Sequence, residues 1–153
     1  MNTDLIIPGR YLSSYDPAHL AKHAMEGASK DFAGNVSKGD IIVAGNNFGC
    51  GSSREQAVTA IMHAGIAVVV ASSFARIFYR NSINLGLPVI VSKDAASIFE
   101  DGNEVSIDWR GGVLMSRDGF KRASLQRIPE RAREILEAGG LVPHVKSQLR
   151  HRQ

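Results

Sequence analysis

The segment Gly45-Asn46-Asn47-Phe48-Gly49-Cys50-Gly51-Ser52-Ser53-Arg54-Glu55 organises the rest of the chain around it. An apolar run, 41–44, precedes it and predicts a short buried strand. Residues 56–64 follow with the pattern of a helix, which Gly65 would end. The glycines at 45, 49 and 51 favour a sharp turn and a close approach of the backbone to a ligand. The sequence therefore predicts a strand, a tight crossing and a helix, with a ligand near the crossing.

The same segment carries features that attract an anion. Ser52-Ser53-Arg54-Glu55 fits the S-x-x-E capping box, which predicts Ser52 as the N-cap of the helix. A helix N-terminus carries partial positive charge and N–H groups without helical partners. Arg54 adds a planar cation suited to a carboxylate or a phosphate. We therefore predict that this turn binds an anion.

Two interpretations of Ser52 and Ser53 remain open on these grounds. The serines could only cap the helix, which typically contributes about 1 kcal/mol. Alternatively, a serine hydroxyl beside the anion site could accept a proton, because helix N–H groups and a nearby cation lower the cost of its alkoxide. A serine nucleophile is disfavoured because the chain has no G-x-S-x-G elbow. A Walker-type phosphate loop is excluded because no Gly-Lys-Ser/Thr occurs.

The plan of strand and helix is repeated along the chain. Asp16-Pro17 predicts the start of an earlier helix over 18–26. Residues 66–71 form an unbroken apolar strand, typical of a parallel sheet covered on both faces. A helix capped by Ser72 or Ser73 and a third strand over 88–91 follow. The fold class is therefore α/β, with a parallel β-α-β-α-β core and right-handed crossovers.

The last third of the chain has a different pattern. Residues 103–109 alternate between apolar and polar like a half-buried strand. Residues 113–115 form a second apolar segment after a turn, and together the two predict a hairpin. Trp109 is expected to pack within that hairpin. A final helix is predicted over 130–138, and residues 141–143 are expected to be extended. The C-terminal part is thus a hairpin plus a helix.

Length and composition indicate one compact domain, which we place at residues 1–146, followed by a polar C-terminal tail at 147–153. Hydrophobic residues make up 44% and charged residues 22%, as in ordinary soluble globular proteins. The net charge of +3 is mild and no basic face interleaved with aromatics is visible, so no nucleic-acid partner is expected. The longest apolar run, 64–71, is too short to span a membrane.

The inventory of metal ligands is small. Cys50 is the single cysteine, which excludes an internal disulfide, is compatible with a reducing cytosol and cannot supply the usual thiolate set of an iron–sulfur cluster. Its role stays open between a small packing residue and a thiol near a ligand. His19 and His23 have the spacing of a zinc half-site but no third ligand, so no metal site is predicted. Arg76 and Arg80 are four residues apart and share a helix face. They could be two surface arginines or could contact a ligand.

Three motifs in this order resemble a known family. They are Asn-Phe-Gly-Cys-Gly-Ser-Ser-Arg-Glu at 47–55, Ser-Phe-Ala-Arg-Ile-Phe-Tyr-Arg-Asn at 73–81 and Asn-x-Gly-Leu-Pro at 84–88. The opening 2–12 and the segment 137–141 extend the likeness over nearly the whole chain. The chain resembles the small subunit of 3-isopropylmalate dehydratase, the swivel domain of the aconitase superfamily. That resemblance implies an aconitase-type swivelling β/β/α domain.

The resemblance also implies roles for individual residues. Ser52 would be the base that removes the carbon-bound proton of the substrate in dehydration and returns one in rehydration. Ser53 and Arg54 would hold a substrate carboxylate. Asp4 would lie at the edge of the active site and orient a catalytic group of the partner, and Arg10 is a further candidate carboxylate ligand.

A cofactor and a partner are implied as well. The [4Fe-4S] cluster, whose open iron takes the substrate hydroxyl and carboxylate, would belong to a separate large subunit, in agreement with the single cysteine. The two chains would form a heterodimer or a heterotetramer, and neither would be active alone. Their substrate would be a small hydroxy-diacid, interconverted between 2-isopropylmalate and 3-isopropylmalate through an alkene in cytoplasmic leucine biosynthesis.

Two departures from the family pattern bear on function. Relatives carry a strand before the opening motif, whereas this chain begins at Met1-Asn2, so we expect a truncated start or an unpaired sheet edge that weakens folding or docking. Ser13-Ser14 stand where relatives read the variable arm of the substrate, with Arg in homoaconitase-like members and an apolar residue in isopropylmalate-type members. Without a cation at this loop, a substrate whose variable arm ends in a carboxylate would lose on the order of 2–5 kcal/mol of binding free energy at a buried site.

The substrate expected from that departure is isopropylmalate or another short alkyl-malate. A homoaconitase or dimethylmalate dehydratase subunit is the alternative within the class. A non-catalytic anion-binding module, using the turn at 45–54 without chemistry, is the alternative of another class.

Overall fold

The computed structural model describes residues 1–150. In chain order its elements are α1 (Thr3–Ile6), a 3₁₀ turn (Gly9–Tyr11), α2 (Pro17–Lys22), α3 (Phe32–Asn35), β1 (Ile41–Ala44), α4 (Glu55–Ala64), β2 (Val68–Ala71), α5 (Arg76–Leu85), β3 (Val89–Val91), α6 (Ala95–Ile98), β4 (Val105–Asp108), β5 (Val113–Ser116), β6 (Arg122–Ser124), α7 (Glu130–Glu137) and α8 (Leu141–Arg150).

The first sheet is parallel and has the order β1-β2-β3. Ala44 lies opposite Ala71 and Ala71 lies opposite Val91, so the three strands end at the same edge of the sheet. All of β2 is buried, as its unbroken apolar sequence predicts for a central parallel strand. The helices α4 and α5 connect the strands, which confirms the β-α-β-α-β core.

Each face of the parallel sheet is covered by a different layer. Val69 and Ala71 belong to a core packed against the helices, whereas Val68 and Val70 belong to a second core that includes Leu114 of β5. This division follows from the alternation of side chains along a strand. The layers are therefore antiparallel sheet, parallel sheet and helices, which is the β/β/α arrangement expected from the resemblance.

The second sheet confirms the predicted hairpin and adds a strand. β4 pairs with β5 antiparallel, and β6, which was not predicted, pairs with the other edge of β5. The strand β6 has only the central Ala123 buried, so it carries little apolar pattern. The prediction that Trp109 packs is wrong, because 56% of this residue is exposed.

Two helix boundaries differ from the predictions because of contacts elsewhere in the chain. α2 ends at Lys22 rather than at 26, since Met25 takes a left-handed φ of 58° and its N–H donates to Ile6 O at 2.6 Å. α5 begins at Arg76 with Ala75 as N-cap, so neither Ser72 nor Ser73 caps it. The Ser73 hydroxyl instead accepts a hydrogen bond from Asn47 N at 2.8 Å.

The predicted extended end is also wrong, because Leu141–Arg150 form the helix α8. Pro143 lies in the first turn of this helix, where its missing N–H costs nothing. The proposed boundary between 146 and 147 therefore falls inside a helix, and the last three residues of the predicted tail, 151–153, lie outside the described residues. Of the helices within 1–150, none combines the length and apolar character required to cross a membrane.

Candidate active site

The loop between β1 and α4 is anchored by the ring of Phe48. Phe48 is fully buried, and its ring contacts those of Phe74 and Phe78 with centroids 6.1 and 5.3 Å away. Its backbone N–H donates to Ser73 O at 2.9 Å, and its carbonyl accepts from Ala75 N at 2.8 Å. The loop is thus fixed to the segment between β2 and α5, which brings the two crossings together.

Glycine is required at two of the three predicted positions. Gly49 and Gly51 have left-handed φ values of 78° and 103°. A Cβ at Gly49 would collide with the Phe78 ring, and one at Gly51 would lie 2.5 Å from Asn2 Oδ1. Gly45 has open space around it, so contacts within the chain do not require glycine at that position.

The N-terminal segment lies alongside this loop. Thr3 N donates to Cys50 O at 2.7 Å, and the Thr3 hydroxyl donates to Ser52 O at 3.2 Å. The Cys50 thiol donates to Met1 O at 3.4 Å and is half-buried. The thiol therefore faces the N-terminal backbone, in agreement with a packing role.

The predicted capping box does not form. The N-cap of α4 is Arg54, its side chain makes no capping bond, and Ser52 lies two residues before it. The contacts of residue 52 with Thr3 hold it in the loop instead of at the helix end. Both Ser52 and Ser53 are exposed, and within residues 1–150 their hydroxyls have no hydrogen-bond partner. The hydroxyls are thus available to a ligand.

Arg54 is oriented by two groups of the N-terminal segment. Its Nη1 lies 2.5 Å from Asp4 Oδ1 and donates to Ile7 O at 3.1 Å. The Arg54 side chain is only 13% exposed, while that of Asp4 is 58% exposed. Because a guanidinium has five N–H donors, the remaining ones can bind an anion.

A cavity of about 180 Å³ opens beside these groups. It brings together Ser52, Ser53 and Arg54, as predicted, and adds Arg76 from the start of α5. Thr3, Ile77 and Phe78 also line it. The sequence signals for Arg76 are its shared face with Arg80 and its place in the motif at 73–81. Its approach to the loop depends on the packing of Phe48.

Arg10 lies outside the residues that line this cavity. Its guanidinium pairs with Glu26, whose Oε1 also accepts from the Tyr11 hydroxyl at 3.0 Å, while Oε2 lies 2.6 Å from His23 Nδ1. The rings of Tyr11 and His23 stack with centroids 3.7 Å apart. His23 is therefore part of a hydrogen-bonded cluster around Glu26, and a substrate role for Arg10 stays a prediction.

Ser13 and Ser14 also lie outside the lining of the cavity. Ser13 is exposed, and the Ser14 hydroxyl accepts from Asp16 N at 3.2 Å, just before α2. Their predicted contact with the substrate stays a prediction. No group of three or more His, Cys, Asp or Glu side chains suited to a metal ion occurs in the part of the chain that the structure describes.

The cavity thus lies on an α/β domain and has two exposed serine hydroxyls beside an oriented arginine. A family model described as the aconitase C-terminal domain matches residues 8–94, which include this loop. The chain therefore belongs to the aconitase C-terminal domain family.

The similar proteins include small subunits of 3-isopropylmalate dehydratase and of a homoaconitase. The chain is 52% identical to the 3-isopropylmalate dehydratase small subunit 1 of Methanopyrus kandleri, over 97% of this chain and 87% of that protein. It is 54% identical to the methanogen homoaconitase small subunit of Methanothermobacter thermautotrophicus, over 94% of this chain and 83% of that protein. The crystal structure of 3-isopropylmalate dehydratase from Methanocaldococcus jannaschii superposes with a TM-score of 0.94 at 47% identity, covering 99% of this chain and 89% of that one.

Proposed function

We propose that this chain is the small subunit of a hydro-lyase that interconverts 2-isopropylmalate and 3-isopropylmalate through an alkene, a step of leucine biosynthesis in the cytoplasm. The observation that carries the proposal is the convergence of Ser52, Ser53 and Arg54 on one cavity. The names of the similar small subunits, at about half identity over most of the chain, support it.

Ser52 is the proposed base. In dehydration the Ser52 alkoxide takes the proton from the carbon next to the carbinol and becomes the neutral hydroxyl, the C–H electron pair forms the double bond, and the hydroxide leaves. Hydration of the alkene on its other carbon, with return of a proton from Ser52, gives the isomer. Its hydroxyl is exposed and makes no hydrogen bond within residues 1–150, so it can turn toward a bound substrate.

Arg54 and Ser53 are the proposed carboxylate ligands. An arginine–carboxylate pair is short and directional, and it fixes the substrate relative to Ser52. The contacts of Arg54 with Asp4 and Ile7 O orient the guanidinium before the substrate arrives. Preorganised charge of this kind costs no rearrangement during the reaction.

The proposed partner is a large subunit that carries a [4Fe-4S] cluster, in a heterodimer or a heterotetramer. When bound, the cluster would supply the Lewis acid for the substrate hydroxyl and one carboxylate. Cys50, the single cysteine, donates to Met1 O rather than facing the cavity, which agrees with a cluster held by another chain. The open cavity and the exposure of both serines support closure of the site by that partner.

The substrate class rests on the loop after Tyr11. Serine at 13 and 14 offers no cation for a distal carboxylate, which favours an alkyl-malate. The methanogen homoaconitase relative supports a second candidate, homocitrate chemistry. Dimethylmalate is the third substrate to be compared.

The experiment is reconstitution of the enzyme under anaerobic conditions. This chain is co-expressed with a large subunit of the same family from the same organism, and alkene absorbance is followed with 3-isopropylmalate, homocitrate and dimethylmalate. Each subunit alone is the control. Activity in the mixture only, with 3-isopropylmalate preferred, supports the proposal.

The opposite results have distinct meanings. A preference for homocitrate would indicate that the chain is a homoaconitase small subunit instead. No complex and no activity with an intact cluster, together with tight binding of a dicarboxylate by this chain alone, would favour the anion-binding module.

A further inference from the structure

A second, larger groove of about 480 Å³ lies next to the candidate active site. It opens at the edge where β2 and β3 end, which is the edge that carries ligand sites in open α/β sheets. Arg76, Arg80 and Lys93 form its basic wall, and Tyr79 and Gln126 contribute to its lining. We call it the basic groove.

The cations of the basic groove have no carboxylate partner. Within residues 1–150, none of the side chains of Arg76, Arg80 and Lys93 forms an ion pair or a hydrogen bond, and no acidic residue lines the groove. Single exposed cations elsewhere, such as Arg110, also lack a carboxylate partner, whereas this groove brings three such cations together. The groove is therefore a concentration of uncompensated positive charge.

The position of the groove determines what must cover it. Arg76 lines both the groove and the active-site cavity, so a partner that closes the cavity also lies over part of the groove. Ile77, half exposed, adds an apolar contact at the rim of the cavity. Covering unpaired cations is costly unless the partner supplies opposite charges.

We infer that the basic groove docks an acidic segment of the large subunit, with carboxylates that pair with Arg80 and Lys93. This inference rests on the proposed function, because it presupposes a large subunit that closes the cavity. Complementary charge at such a surface accelerates association and fixes the orientation of the partner.

The structure favours a protein segment over a small anion in this groove. Both arginines are exposed and neither side chain is held by a hydrogen bond within residues 1–150, so the groove lacks a preformed cradle for a phosphate. Tyr79 offers a half-buried aromatic wall, and burial raises the pKa of its phenol.

The test measures assembly separately from turnover. Arg80→Ala, Lys93→Ala and the double variant are titrated into the cluster-loaded large subunit, and the concentration for half-maximal activity is determined with kcat at saturation. Arg76 is left unchanged because it lines the active-site cavity. We expect the double variant to need about tenfold more small subunit, with kcat within about twofold of wild type and a weaker salt dependence of association.

Arg110→Ala is the matched control. Arg110 is exposed on the turn between β4 and β5, outside the lining of both cavities, and it forms no ion pair within residues 1–150. Its variant should assemble like wild type.

Three results would overturn the inference. Wild-type affinity in the double variant would show that the groove does not dock the partner, and a lower kcat at unchanged affinity would indicate a catalytic role. Binding of inorganic phosphate that the double variant loses, without a change in subunit affinity, would indicate a small-anion site. If wild type itself forms no active complex, the proposed function fails first, so the two failures are distinguishable.

Discussion

Asp4 Oδ1 lies 2.5 Å from Nη1 of Arg54 and so connects the N-terminal segment to the start of α4. The arginine is mostly buried and the carboxylate is more than half exposed, so solvent screens the pair and its contribution to folding is small. Its consequence is geometric, because it directs a guanidinium that lines the active-site cavity.

Arg54→Lys should lower kcat/KM on the order of 100-fold, since lysine cannot reproduce a bidentate contact with a carboxylate. Asp4→Asn should have a smaller effect, about tenfold or less, because Ile7 O still holds the guanidinium. Steady-state kinetics of the reconstituted enzyme measure both. Arg117→Lys, which disturbs an exposed pair with Glu104 at the ends of β5 and β4, is the control and should leave kcat/KM unchanged.

Gly49→Ala should destabilise the chain by about 1–3 kcal/mol or more, because alanine is strained at a φ of 78° and its Cβ meets the Phe78 ring. Gly45→Ala, in the same loop but with open space, is the matched variant and should change stability by less than about 1 kcal/mol. Urea unfolding of the isolated chain measures the difference. Equal losses in the two variants would contradict the account of the loop.

The cluster around Glu26 predicts a pH dependence of stability. Hydrogen bonds from His23, and also from Tyr11 and Arg10, hold the pKa of this carboxyl below its ordinary value of 4.5. A lowered pKa in the folded state means that its stabilisation is present above the ordinary value and is lost as the pH falls through the folded value. Glu26→Gln should therefore be less stable than wild type at neutral pH.

The difference between these two proteins should shrink as the solution is acidified below the ordinary pKa of the carboxyl. Urea midpoints measured over a series of pH values provide the comparison. A constant difference at all pH values would mean that Glu26 acts through packing and not through its charge.

Ser13→Arg should raise the preference for homocitrate over 3-isopropylmalate by about tenfold or more, if this position meets the variable arm of the substrate as the resemblance implies. The ratio of the two kcat/KM values in the reconstituted enzyme measures it. An unchanged ratio would agree with the position of Ser13 outside the cavity and would exclude it as the residue that selects the substrate.

The parallel core was predictable from the sequence because its signals are local. The apolar run 66–71 and the glycines after α4 and α5 each specify the element in which they occur. The sequence predicts an extended segment at 141–143 where the helix α8 forms, because the first turn of a helix tolerates a proline such as Pro143.

The site was predictable only in part, because local sequence signals do not indicate contacts between distant parts of the chain. Ser52, Ser53 and Arg54 are neighbours in sequence and meet in one cavity. The pairing of Asp4 with Arg54 joins residues far apart in the chain, so no spacing rule indicates it. The capping box fails for a similar reason. The Thr3 hydroxyl, which is distant from Ser52 in the sequence, donates to Ser52 O and holds that residue away from the helix end.

The role of Ser52 is best tested by alkene formation in the reconstituted enzyme with Ser52→Ala. The Ser52 hydroxyl makes no hydrogen bond within residues 1–150, so the variant should fold and bind the large subunit like wild type. Ser53→Ala, one residue further, is the matched variant and should mainly raise KM. We predict that Ser52→Ala lowers kcat by about 10²- to 10⁴-fold with assembly unchanged. Full turnover in a correctly assembled Ser52→Ala complex would contradict the assignment of Ser52 as the base.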